Sequence, residues 1–289
     1  MRKRPTSPGT RLFVALQYLL PQHPLSRIVR FLTRVRVRWL KNALIGGFLR
    51  LYDVAMHEAA EPDPRAYESF NAFFTRALRA GARPCPADPR LAVMPVDGTI
   101  SERGPITDDT LVQAKDMTFT TVELLGGDAA TASRFTGGSF ATVYLAPYNY
   151  HRIHMPCSGT LRQAWHIPGH LFSVNAATAA AVPRLFARNE RAVCLFDTAA
   201  GPMAMVAVGA LFVGSIDLVW AGEVTRVRPR RVRPIDVPDP PLALAAGDEL
   251  GRFNMGSTVI VLFGNGFELC CAPPSHAVRV GDPLARVRS

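Results

Sequence analysis

Phe253-Asn254-Met255-Gly256-Ser257-Thr258-Val259-Ile260-Val261-Leu262-Phe263 decides the fold of this chain. Its last five residues form an unbroken apolar run, the pattern of a strand buried on both faces. The Gly-Ser-Thr step opening it sets two hydroxyls where a core begins. For an isolated dipeptide the common reading is a bulge at a strand start, yet glycine before serine also permits strained backbone geometry.

Outward from this stretch, short apolar or β-branched runs alternate with Gly, Pro and Asn across residues 92–100, 139–145, 159–167, 191–196, 203–219, 223–227 and 278–280. They predict strands of an antiparallel or mixed β-rich body. Residues 112–125 and 176–186 read as interspersed helices, and the basic, proline-rich 226–241 as loop. Tyr67, Phe70, Phe74 and Leu78 form a helical stripe closed by Gly81 and Pro84, expected to dock the N-terminal segment on the body.

The N-terminal texture is different. Ile28, Leu32, Val35 and Trp39 fall at helical spacing as one apolar stripe, beside a cationic stripe of Arg27, Arg30, Arg34, Arg38 and Lys41. A solvated charged face is the commoner reading of such a helix. With no acidic residue between Arg27 and Arg50, a helix lying on anionic lipid is the better one. The run Leu12 to Leu20 is nine residues, contains Gln17 and ends at Pro21, so it makes a poor export signal. Residues 43–55 are interrupted by Gly46-Gly47 and Arg50; neither run reaches the roughly 20 residues a spanning helix needs. The expected fold is α+β: an amphipathic helical, membrane-associating segment over 1–65 and a β-rich domain over 66–289.

At 289 residues and 48% hydrophobic, the chain can bury a full core. Its 33 Lys and Arg against 23 Asp and Glu give a net charge of +10, which suits an acidic partner surface such as lipid or nucleic acid phosphates. Five cysteines without a CxxC pair signal neither a disulfide framework nor a zinc ribbon, and fit a reducing compartment.

Three places put chemistry-bearing residues at the ends of strand patterns. Asp97 lies in Pro95-Val96-Asp97-Gly98, where a turn aspartate before glycine is ordinarily turn chemistry. His151 and His154 lie in Tyr150-His151-Arg152-Ile153-His154-Met155-Pro156, without a third ligand in a metal-site spacing, so no metal is expected. Ser257 is the third. A serine needs a base, and the base a group that holds it; Asp97, one of the histidines and Ser257 could fill those roles.

Together these stretches, with Ser69-Phe70-Asn71-Ala72-Phe73-Phe74-Thr75-Arg76, Gln113-Ala114-Lys115 and Pro168-Gly169-His170-Leu171-Phe172-Ser173-Val174-Asn175, resemble phosphatidylserine decarboxylases, from about Ser69 onward and in the family's order. Met255 stands where many bacterial members have leucine, and His170 where several have aspartate; the role of His170 is left open. The resemblance implies a self-processing pyruvoyl enzyme. His154, oriented by Asp97, would deprotonate Ser257, which attacks the carbonyl of Gly256. The chain would part between 256 and 257, giving a large subunit 1–256 and a small one 257–289 that begins with a pyruvoyl group made from Ser257. His151 would return a proton after loss of CO2, because an imidazole titrates near the working pH. The implied substrate is phosphatidylserine and the product phosphatidylethanolamine. The implied assembly is a heterodimer of the two cleavage products, open to further pairing, held peripherally on the cytoplasmic face of the cell membrane. Two other readings compete: a serine hydrolase using Asp97, His154 and Ser257 without maturation, and a non-enzymatic basic β-domain using Arg226 to Arg233. The latter stretch lacks the aromatic stacking platforms of single-strand binders, and no nucleic acid partner is expected.

Overall fold

The computed structural model describes residues 8–114, 117–212, 215–225, 231–255 and 257–288. Gly256, Lys115 and Arg226 to Arg230 lie outside these residues. The fold is α+β: an N-terminal helical segment followed by antiparallel sheets.

The Ser257–Phe263 strand lies inside a nine-stranded sheet, between Gly201–Val208 and Ser139–Leu145. All seven of its positions are buried, so neither face meets water and an alternating pattern would have no purpose. Arg191–Thr198 and Gly159–Ile167 extend the sheet on one side and Gly98–Pro105 on the other. Gly98 has a packing role rather than a turn role: a side chain there would stand 2.3 Å from the Tyr144 carbonyl oxygen of the neighbouring strand. A second, four-stranded sheet contains Ile216–Leu218, Glu249–Phe253 and Arg152–His154. The chain passes from Glu249–Phe253 of this sheet into the Ser257 strand of the larger one, and Asn254 and Met255 lie at the corner between them. Asn254 pins that corner. Its amide donates to Ser215 Oγ at 2.6 Å and Asp217 Oδ1 at 2.9 Å, and its Oδ1 accepts from Asn71 at 3.0 Å.

The N-terminal segment folds as α1 (Pro8–Leu19), α2 (Gln22–Thr33) and α3 (Arg38–Leu51). The apolar stripe from Ile28 to Trp39 is therefore shared by two helices rather than carried by one. Gly46-Gly47 does not interrupt α3, because Ile45 and Phe48 pack on the phenylalanines of α4 (Phe70–Phe74) and that burial exceeds the glycine cost of about 1 kcal/mol each. α4 is shorter than the stripe from Tyr67 to Leu78 suggests, but does dock α3 on the body, capped by Ser69 Oγ accepting from Ala72 N–H.

Neither of the two expected helices forms over its full length. In place of the first, Thr110–Ala114 and Met117–Thr120 pair as antiparallel strands, followed by the single helical turn Thr121–Leu124. Gln113 is buried there by bonds to the Ala179 and Val182 carbonyls. Residues 176–186 break into Ala176–Ala179 and Leu185–Arg188 around Pro183, which cannot continue a helix.

One helix of the N-terminal segment, α2, is turned inside out. α2 buries Gln22, Ser26 and Thr33 while Ile28, Phe31 and Leu32 face outward. Polar groups do the docking: Gln17 Oε1 accepts from Ser173 N–H at 2.7 Å, Gln22 Oε1 from Leu171 N–H at 2.8 Å, and Arg30 pairs with Glu223 at 2.8 Å. The cationic stripe is consequently divided. Arg30 and Arg34 turn inward to Glu223, and Lys41 is buried against the Arg65 carbonyl, while Arg27, Arg38 and Arg50 remain exposed.

Candidate active site

Ser257 opens its strand fully buried, and its Oγ has no hydrogen-bond partner among the described residues; neither has Thr258 Oγ1. A buried hydroxyl left unpaired costs about 1–3 kcal/mol, so two at one corner mark a place kept polar for another reason.

His151 is fully buried, its ring 4.0 Å centroid to centroid from Phe74. A carbonyl can only accept, so the 2.8 Å contact with Asn149 O fixes the proton on Nδ1 and leaves Nε2 as a bare lone pair without a partner. Burial, then the nearby Arg76 charge, pushes its pKa down to about 3. The expectation that this imidazole titrates near the working pH is thus overturned: in the resting protein His151 is neutral.

His154 ends the Arg152–His154 strand beside Pro95, whose carbonyl accepts its backbone N–H at 2.8 Å. Its Nδ1 donates to Gly247 O at 2.8 Å, and its Nε2 meets the Tyr150 hydroxyl at 3.0 Å. With the proton on Nδ1, Tyr150 is the donor and Nε2 the accepting base nitrogen. Desolvation lowers the proton affinity of His154, and the Asp97 charge is among the groups that raise it again.

Asp97 is buried and held from two sides. Arg83 grips both carboxylate oxygens, at 2.9 Å from Nε to Oδ1 and 2.5 Å from Nη2 to Oδ2, while Val280 N–H donates to Oδ1 at 2.9 Å. Arg83 is shared with Glu58 at 2.8 Å. The structure brings Asp97 and His154 within electrostatic reach, but the ring is oriented by the Gly247 carbonyl rather than by a bond to Asp97. Arg83 and Tyr150 escape a sequence reading. Nothing in spacing ties Arg83 to Asp97, and the only signal for Tyr150 is its place four residues before His154.

Beside this corner lies an apolar cavity of about 370 Å³ reached by Phe13 of α1, Phe48 of α3, Phe74 of α4, Phe212 and Met255. His170 is surface-exposed, 5.2 Å from the Phe172 ring, with its backbone bonded to Arg188 and Glu190. No cluster of metal-ligating residues occurs among the described residues.

A buried, unpaired serine at a sheet corner, the buried His151 whose carbonyl accepts the Phe253 N–H at 3.0 Å just before that corner, and an apolar pocket alongside define a site that works on groups kept from water. The family model for phosphatidylserine decarboxylase matches residues 70–286, and a second family model, PSD, matches residues 12–53. The chain is 56% identical to a phosphatidylserine decarboxylase proenzyme of Alkalilimnicola ehrlichii, covering 90% of this chain and 91% of that one. It is 54% identical to the Methylococcus capsulatus proenzyme, covering 89% of each, and 55% identical to a Pseudomonas aeruginosa proenzyme, covering 88% and 89%. The chain belongs to the phosphatidylserine decarboxylase family.

Proposed function

We propose that this chain is a proenzyme that cuts itself between Gly256 and Ser257 and then decarboxylates phosphatidylserine to phosphatidylethanolamine. The observation that carries the reading is the buried, unpartnered Oγ of Ser257 at the corner between two sheets. His154 takes the proton of Ser257 with its Nε2 lone pair, once the Tyr150 hydroxyl yields that position. Asp97 favours the imidazolium so formed through its field while Arg83 and the Val280 amide hold it in place. Ser257 Oγ attacks the Gly256 carbonyl, the Gly256–Ser257 amide bond breaks and the amine of Ser257 takes up the proton. Loss of the Ser257 α-proton expels the Gly256 carboxylate, and water then replaces the nitrogen, released as ammonia. A large subunit 1–256 and a small one 257–289 remain paired as a heterodimer.

The residues present fit a pyruvoyl group at position 257: the site is buried and polar, and its strand is fixed between two neighbours. Such a group supplies an electrophilic carbonyl for the headgroup amine and a sink for the electrons freed with CO2. His151 returns the proton to the former α-carbon. Being neutral at rest, it must first gain that proton, and the arrival of an anionic substrate raises its affinity for one. Phe74 and Met255 keep water out on the apolar side.

The N-terminal segment, 1–65, holds the enzyme peripherally on the cytoplasmic face of the cell membrane, and 66–289 is the catalytic domain. Among the described residues no helix is long and apolar enough to cross a membrane. Among the described residues, twelve large apolar side chains exposed before residue 52, Leu19 at 81% and Phe31 and Trp39 at 72% among them, support an interfacial seat. Free cysteines suit the reducing side. Intact mass of the purified protein tests the maturation: two chains support it, and one full-length chain favours a serine hydrolase that uses the same residues uncut.

A further inference from the structure

We propose that Arg76 binds the phosphodiester of the substrate headgroup. The inference rests on phosphatidylserine being the substrate. Arg76 follows α4 and is only 4% exposed, yet no carboxylate of the described residues pairs with it. The guanidiniums that line the same cavities each have a carboxylate partner, among them Arg34 with Glu223 at 3.5 Å, Arg152 with Glu249 at 2.7 Å, Arg252 with Asp217 at 3.4 Å and Arg83 with Asp97 and Glu58. Arg76 has one long bond, 3.4 Å to the Tyr148 carbonyl, a Phe73 ring at 5.8 Å, and an Nε with no partner. A buried cation without a counter-ion is costly, and the guanidinium does not escape the cost by losing its proton. A fold that keeps one has a use for it, and an anionic ligand is the partner that would repay burial.

The placement suits the headgroup. Arg76 lines two cavities, one of about 580 Å³ shared with Ser69, Asn71, Thr75 and Arg152, and one of about 390 Å³ shared with Asp97 and Tyr150. Its charge also reaches His151, where it disfavours protonation. An anion on Arg76 would cancel that field and let His151 take up a proton when substrate is present.

The substrate offers two anions, and the chemistry selects between them. A cation gripping the carboxylate would stabilise the ground state against loss of CO2, whereas the phosphodiester is unchanged from substrate to product, so binding it assists positioning without opposing the reaction. The fork geometry of Arg suits a phosphate.

The test uses the full chain carrying Arg76→Gln. Self-cleavage should proceed as in the wild type, since no headgroup takes part in it. The KM for phosphatidylserine in mixed micelles should rise about 10- to 100-fold with kcat changed only a few-fold, as for a lost charge-assisted bond. Inhibition by dioctanoyl phosphatidylethanolamine, which keeps the phosphodiester but lacks the carboxylate, should weaken by the same factor. Arg76→Lys should fall between, and the thermal midpoint should not drop. An unchanged KM overturns the inference. So does a raised KM with undiminished inhibition by the product, which would assign Arg76 to the carboxylate, or a lowered thermal midpoint with lost cleavage, which would make it structural. Failure of the wild type to cleave would overturn the maturation reading instead.

Discussion

Two regions of this molecule break the ordinary rule of polarity, in opposite senses. At the sheet corner, Ser257, Thr258 and His151 bury polar atoms that have no partner. In the N-terminal helices, Ile28, Phe31 and Trp39 face outward while Gln17, Gln22 and Ser26 are buried. Each misfit is costly in isolation, and the proposed function answers both: a reaction at the corner, and a lipid surface under the helices. The difference between them is informative. The corner holds reactive atoms in fixed geometry by the Asn254 bonds and two flanking strands, whereas α2 is attached through polar side chains, Gln22 to Leu171 and Arg30 to Glu223, leaving Ile28, Phe31 and Leu32 free.

The comparison can be broken first at the corner. Ser257→Ala should leave the chain uncut and abolish decarboxylation, while removal of an unpaired hydroxyl should leave stability unchanged or slightly raised; gel mobility and a thermal melt check both. His151→Ala should still be cleaved but lose about 10²- to 10⁴-fold in kcat, the range for a lost proton donor. If His151→Ala stays uncut, the division of roles between the two histidines is wrong.

On the other side, Phe31→Glu with Trp39→Glu should lower partitioning onto phospholipid vesicles by about 10²-fold or more, since each large side chain is worth about 1.5–3 kcal/mol on burial. The melting temperature should stay put, because neither side chain packs inward; sedimentation with vesicles measures the first and calorimetry the second. Equal binding by both proteins would remove the lipid surface from the comparison.

Acid sensitivity is the smaller test. His151 has a folded pKa of about 3, below its ordinary value near 6.5, so between these values the unfolded chain binds more protons and stability falls as pH falls. His151→Gln should flatten the loss of stability over that window, read from urea midpoints at successive pH values.

Much of this was legible in the residues. The run from Val259 to Phe263 announced a strand buried on both faces, and Asp97, His151, His154 and Ser257 stood out by residue type at strand ends. The limits were physical. The hairpin over 110–120 was hidden because Gln113 is placed by distant carbonyls, not by local propensity. The inward turn of Arg30 and Arg34 depends on Glu223, nearly two hundred residues away. The Arg83 grip on Asp97 and the Gly247 carbonyl that orients His154 are also tertiary facts, with no periodicity to reveal them. Gly98 showed as a turn glycine but is required by the close approach of Tyr144.

Central to the account is that Ser257 is consumed to build the group that does the chemistry. Intact-mass spectrometry of the purified protein addresses it most directly. The account predicts two chains, one ending at Gly256 and one spanning 257–289 that is lighter than its encoded mass by one molecule of ammonia. A single full-length chain, or a small chain that retains an intact N-terminal serine, would contradict it.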